Sequence, residues 1–160
     1  MSAPGSKVVL VHGARHGPWC WHKILPGLGA MGGVATALDL PGHGIDSTPP
    51  GSVTMDDYVG RLIAAIEAVG EPVTLVAHSL GGAAATALAE ARPDLVARLV
   101  FVSAFMLASG VSVQAFQTRP GNQSLVREIF RPKPEAGIVE LATGRRREIF
   151  YAMSGDADVC

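Results

Sequence analysis

The chain has 160 residues, 48% of them hydrophobic, and its 13 Lys/Arg nearly balance 14 Asp/Glu for a net charge of -1. That is long and apolar enough for one domain with a substantial core, and the balanced charge argues against a nucleic-acid-binding protein, which wants a one-sided basic excess. No apolar run approaches the roughly 20 residues of a membrane span, and Met1 to Lys7 lacks the apolar region of a secretory signal, so a soluble, cytoplasmic protein is expected.

Cys20 and Cys160 lie far apart and form neither a metal-type pair nor a disulfide framework, so both read as free thiols. The histidines His12, His16, His22, His43 and His78 lack the helical His-x-x-x-His spacing of a zinc site. No metal and no other cofactor is expected.

Lys7 to Val11 is an unbroken β-branched run, the composition of a parallel strand covered on both faces. It ends at His12-Gly13-Ala14, and Arg15-His16-Gly17-Pro18-Trp19-Cys20-Trp21 then leads from a glycine-containing loop into a helix with Pro18 near its first turn. Pro26 and Gly27 predict that this helix is short or kinked. A second strand, Ala35 to Leu40, runs into Pro41-Gly42-His43-Gly44 and a proline-rich loop. Thr54 is a candidate N-cap, with Asp56 and Asp57 at the positive end of the helix dipole. Tyr58, Leu62 and Ile66, with Val59, Ile63 and Val69, recur at helical spacing and predict one face packed on a sheet, closed by Gly70.

Val73 to Gly82, Val-Thr-Leu-Val-Ala-His-Ser-Leu-Gly-Gly, is the stretch on which the chain turns. A buried strand runs into Ser79, whose second neighbours Ala77 and Gly81 are tiny, and an alanine-rich helix follows up to Pro93. That pattern is a nucleophile elbow, which holds a serine in a strained turn above the sheet and demands near-absent flanking side chains. A serine that merely caps the helix would fit the pentapeptide alone; the strand before it and the helix after it favour the elbow.

Leu99 to Ser103 reads as a further strand of buried composition, completing a strand-helix alternation expected to give a mostly parallel sheet with flanking helices. Residues 1–106 are therefore read as an α/β core. Residues 107–160 break the rhythm with Pro120, Gly121, Pro132 and Pro134 and are read as a cap or lid. A short helix is expected around Ser124 to Phe130, and a hairpin joining Ile138 to Leu141 with Arg146 to Tyr151 about Thr143-Gly144, with Arg145, Arg146 and Arg147 at its solvated end.

Three ordered stretches, Val9-Leu-Val-His-Gly-Ala14 with His16-Gly-Pro-Trp-Cys-Trp21, Leu38-Asp-Leu-Pro-Gly-His-Gly44 and Leu75-Val-Ala-His-Ser-Leu-Gly-Gly82, resemble the α/β-hydrolases, and among them the methylesterase and hydroxynitrile lyase group. The resemblance implies that Ser79 is the nucleophile and that the backbone N–H groups of Ala14 and Leu80 form the oxyanion hole. It implies a structural role for His12, which precedes Gly13 on the oxyanion loop, and a buttressing role for His16. His78, adjacent to the nucleophile, is a poor candidate for the base. Trp19 and Trp21 read as packing rather than substrate stacking. Arg15 departs from the small uncharged residue usual there and reads either as a carboxylate-recognising group or as a solvated side chain whose stem covers apolar surface.

The family's pattern continues with two more strands, followed by the triad acid and then the triad histidine. Asp156 and Asp158 fall in the cap-like segment, and no histidine follows His78. The triad acid and histidine are therefore expected from a segment not in this chain, through a complementing C-terminal partner, with self-association as the alternative. The expected activity is hydrolysis of a small, largely apolar carboxylic ester through a Ser79 acyl-enzyme. A hydroxynitrile lyase is the nearer rival, and Gly13 favours the esterase because many such lyases carry a hydroxyl-bearing residue there. A non-catalytic small-molecule-binding homologue is the alternative from another class.

Overall fold

The computed structural model describes residues 5–122, 124 and 129–152. The chain divides into two compact units, Met1–Val113 and Gln114–Cys160.

In the first unit, β1 (Lys7–Val11) is central, with β2 (Val34–Leu38) on one side and β3 (Val73–His78) on the other, and β4 (Val96–Val102) outside β3. All three pairings are parallel, so the sheet runs β2-β1-β3-β4. Strand alternation sorts its residues onto two faces. Val9, Val11, Val73, Leu75 and Ala77 meet Leu62 and Ile66 of α2 (Met55–Val69) and Ala84, Ala85 and Leu88 of α3 (Gly81–Ala91). Val8, Leu10 and Val76 turn the other way onto Trp21, Leu25 and Leu28.

Helix α2 forms where its signals predict. Thr54 and Asp57 make a reciprocal capping box, and Gly70, at φ 82°, ends the helix in the left-handed conformation. Leu62 and Ile66 are fully buried, each worth about 2 kcal/mol of burial. The segment after β1 forms less helix than its length would allow. A 3-10 turn at Pro18–Trp21 precedes α1 (Ile24–Ala30), whose seven residues include Pro26, Gly27 and Gly29 and bury none fully.

That short cover has a consequence at β4. Pairing sets Leu10 beside Val76 and Val76 beside Val100, so Val100 shares the face covered by Trp21 and α1. The cover does not extend to β4, where Val100 and Val102 are 37% and 42% exposed. The composition of β4 predicts cover on both faces, and Val96 and Leu99 pack against the α2/α3 core on one of them. The strand spans Val96–Val102, beginning earlier than the expected Leu99, and β2 ends at Leu38 rather than Leu40.

In the second unit, α4 (Val113–Thr118) leads in. The expected hairpin is corrected. Ile138–Leu141 is a strand, β6, but its antiparallel partner is β5 (Phe130–Lys133), with Phe130 opposite Leu141 and Lys133 opposite Ile138. The turn is a 3-10 segment, Pro134–Ala136, closed by Gly137 at φ 64°. Proline presets the first turn and glycine supplies the left-handed residue, a stronger reversal than Thr143-Gly144. Arg146–Phe150 is a helix, α5, rather than a strand. Arg145 and Glu148 pair at its start with the i,i+3 spacing that a helix allows and a strand does not. The helix expected around Ser124 to Phe130 falls largely outside the described residues, as do Asp156, Asp158 and Cys160; Phe130 itself begins β5.

Candidate functional site

The C-terminal ends of β1 and β3 bring Ser79 and the His12–His16 loop together. Ser79 follows β3 directly and has φ 50°, a left-handed conformation that a serine adopts only under constraint. Its carbonyl accepts N–H groups from Gly82 at 3.1 Å and Phe105 at 3.0 Å, which tie the turn to α3 and to the segment leaving β4. The Ser79 hydroxyl itself has no hydrogen-bond partner among the described residues.

Space accounts for the glycines. A Cβ on Gly81 would stand 2.7 Å from the His12 carbonyl oxygen, and one on Gly82 would stand 2.5 Å from that of Phe105. Both obstacles are backbone, so neither yields cheaply. Gly13 lies against the serine, where an added Cβ would be 2.8 Å from the Ser79 Cβ and 3.0 Å from His78 Nδ1.

His12 is fully buried and used at both nitrogens. Nδ1–H donates to the Gly13 carbonyl at 2.8 Å, and Nε2 accepts the Leu40 N–H at 3.1 Å. That pattern assigns the neutral Nδ1–H tautomer. Burial, aided by repulsion from His43, lowers its pKa despite the opposing Gly13 hydrogen bond and the Asp39 charge. The Asp39 Oδ1, 3.6 Å from Nε2, therefore faces an unprotonated nitrogen and has no hydrogen-bond partner, while Oδ2 accepts the Ile45 N–H at 2.9 Å. With both ring nitrogens engaged, His12 has none to offer Ser79.

The loop after Gly13 is a tight turn. The His16 N–H returns to the Gly13 carbonyl at 3.3 Å, His16 Nδ1 lies 3.0 Å from the Ala14 carbonyl oxygen, and Arg15 takes φ 66°. The N–H groups of Ala14 and Leu80 have no hydrogen-bond partner among the described residues. His16 packs on Trp19 with centroids 5.3 Å apart and meets His78 edge-on at 6.2 Å. Burial lowers the His78 pKa, and His16 adds to that. Trp21 is buried in the core, as its packing role predicts, while Trp19 is 39% exposed.

Three residues not singled out as site residues by sequence join the cluster. His43 lies 5.4 Å from His12 and meets Tyr58 edge-on at 5.9 Å, and Asp39 anchors the loop that carries His43. The signal for His43 was its place in the Pro-Gly-His-Gly turn; Tyr58 was legible only as a core-facing helix residue. Among the described residues no group of three or more His, Cys, Asp or Glu is arranged to hold a metal ion, and no helix is long and apolar enough to cross a membrane.

A four-stranded parallel sheet flanked by helices, with a strained serine between strand and helix and a glycine loop against it, is the architecture of an α/β-hydrolase. The chain belongs to the alpha/beta hydrolase family, which it matches over residues 8–158. It is 43% identical over 104 residues to Methylesterase 7 of Arabidopsis thaliana, covering 62% of this chain and 40% of that protein. It is 37% identical over 126 residues to the probable esterase PIR7A of Oryza sativa subsp. japonica, covering 74% of this chain and 48% of the relative. The chain thus spans less than half the length of either. Among solved structures, a pyrethroid hydrolase superposes with TM-score 0.83 at 28% identity over 94% of this chain and 63% of that one. A methylesterase from Arabidopsis gives 0.76 at 26% identity over 96% of this chain and 61% of its own.

Proposed function

We propose that the protein is a serine esterase of the methylesterase type, cleaving a small, largely apolar carboxylic ester through an acyl-enzyme on Ser79. The observation that carries this reading is the left-handed Ser79 between β3 and α3 with Gly13 pressed against it. The Ser79 oxygen attacks the ester carbonyl carbon, the alkoxy group departs with the serine's proton, and water then releases the acid. The free N–H groups of Ala14 and Leu80 are the donors to the developing oxyanion, an interaction whose loss costs about a hundredfold to a thousandfold in turnover elsewhere.

The base and its orienting acid come, in this reading, from a segment outside these residues, because His12 is occupied and the Ser79 hydroxyl has no partner among the described residues. A complementing chain, or a second copy, covers the outer side of β4. Residues 107–160 serve as the cap. A cytoplasmic location belongs to the same reading.

Hydrolysis of a chromogenic short-chain ester by the complete assembly, lost in Ser79→Ala with the fold intact, tests the proposal. A serine-directed fluorophosphonate should label the wild-type serine and not the variant. Wild-type rates in Ser79→Ala would overturn it. The unpartnered hydroxyl also favours one rival, a ligand-binding homologue without catalysis; an assembly that binds esters and never turns them over would establish that instead.

A further inference from the structure

Arg15 sits at a costly place for its side chain. The Gly13–His16 turn forces φ 66° on it, a conformation that glycine or asparagine takes readily and a long side chain does not. A strained non-glycine residue beside a reactive serine is the kind of outlier from which function is inferred. Arg15 is exposed, and its guanidinium makes no hydrogen bond or ion pair among the described residues.

The surroundings show where that charge acts. Gly13, whose carbonyl accepts the His16 N–H across the turn that carries Arg15, lies against Ser79; burial raises the pKa of the half-buried Tyr58, and the Arg15 charge opposes that shift. Tyr58 meets His43, His43 meets the fully buried His12, and His12 donates to the Gly13 carbonyl, so a chain of contacts runs from Tyr58 to the loop beside Ser79. The carboxylates along these contacts each accept a backbone N–H, and the buried Asp39 Oδ1, 3.6 Å from His12 Nε2, is left without a hydrogen-bond partner among the described residues. Asp39 accepts the Ile45 N–H, Asp46 accepts from Gly42 and Thr48, and Asp57 accepts from Thr54. Arg61, the other arginine of this region, donates to the Asp39 carbonyl.

We propose that Arg15 is a specificity residue that receives an ionised carboxylate on the acyl side of the substrate, so that the preferred ester is a half-ester of a small dicarboxylic acid. The planar guanidinium fork matches a carboxylate in two parallel hydrogen bonds. The turn that presents Arg15 also presents the Ala14 N–H, so one loop addresses both the ester carbonyl and the distal charge. This inference rests on the reading of Ser79 as the acylated residue.

Calorimetric titration of the Ser79→Ala protein with monomethyl glutarate and with dimethyl glutarate tests it without turnover. The monoanion should bind about tenfold more tightly than the neutral diester at low salt, and the preference should shrink as salt is raised. Arg15→Gln should bring the ratio close to one, Arg15→Lys should retain part of it, and Arg15→Asn, which suits the left-handed backbone, should behave as Arg15→Gln in binding with an unfolding midpoint no lower than the parent's. Equal affinity for the two ligands in the parent, an undiminished preference in Arg15→Gln, or no binding of either ligand would overturn the proposal. Fluorophosphonate labelling of the wild-type protein reports separately on the hydrolase reading, so failure of that reading and failure of this one are told apart.

Discussion

The ring of His12 and the backbone of Leu40, 28 positions apart in the chain, are joined by a hydrogen bond of 3.1 Å in which the imidazole Nε2 accepts the Leu40 N–H. The other ring nitrogen holds the Gly13 carbonyl, so one buried side chain ties the loop after β1 to the loop after β2. His12→Leu leaves the buried Leu40 N–H without a partner and should cost about 2 kcal/mol of stability. Urea unfolding measures it; a loss within a few tenths of a kcal/mol would mean that water takes over the bond.

The same histidine makes stability sensitive to acid. Burial holds the folded pKa of His12, and of His78, below the ordinary 6.5. Above 6.5 both are neutral in the folded and unfolded chain and stability is at its maximum. As the pH falls below 6.5 the unfolded chain takes up protons that the folded chain refuses, so stability declines until the folded groups also titrate. A urea midpoint followed downward from neutral pH should fall, and His12→Asn should flatten the decline. A midpoint independent of pH through this window would refute it.

Two glycines separate local propensity from packing. Gly81→Ala drives a methyl group against the His12 carbonyl oxygen and should destabilise by about 1 to 3 kcal/mol. Gly27→Ala, within α1 and with nothing within 4 Å of the new Cβ, should stabilise by up to about 1 kcal/mol through helix propensity. Thermal midpoints of the two variants should move in opposite directions; a raised midpoint in Gly81→Ala would contradict the backbone contact there, and a lowered one in Gly27→Ala the propensity argument.

Ser79 carries the strain of its turn. Ser79→Gly removes the penalty on φ 50° and should raise stability by about 1 kcal/mol while abolishing fluorophosphonate labelling. Calorimetric unfolding and labelling on the same preparation check both halves. A destabilised glycine variant would show that the serine side chain makes contacts worth more than the strain.

The outer strand predicts association. Val100 and Val102 on β4 are 37% and 42% exposed beside a strand edge that is outermost in the sheet. The 16.6 kDa chain should sediment as more than a monomer, and Val100→Lys with Val102→Lys should shift it toward the monomer. A monodisperse monomer in the unaltered chain would remove the basis for a partner on this edge.

Legibility followed the range of the interactions. Helix α2 could be read from Thr54 to Gly70 because capping and left-handed termination are local chemistry. Ser79, Ala77 and Gly81 were legible because an elbow imposes near-absent side chains at neighbouring positions, and Gly13 through the resemblance of its loop. The hairpin was misread because Phe130–Lys133, with Pro132 inside it, makes a poor strand by propensity, and its pairing with Ile138–Leu141 depends on the Pro134–Gly137 reversal. Arg146–Phe150 resembled a strand by composition, whereas the Arg145–Glu148 pair goes with a helix.

By itself the amino-acid sequence determined the alternation of strands and helices, the strained serine and the small residues around it, since each is set by steric and hydrogen-bonding rules acting within a few positions. Only the tertiary structure decided that His12 is spent on Leu40 and Gly13, that His43 and Tyr58 border the same site, that Arg15 takes a left-handed turn without an acidic partner among the described residues, and that Val100 and Val102 on one face of β4 are exposed. Those facts depend on which distant segments meet, and composition carries no direct record of that: a histidine reads the same in sequence whether its nitrogens are free or engaged, and a run of valines reads the same whether or not a neighbour covers it.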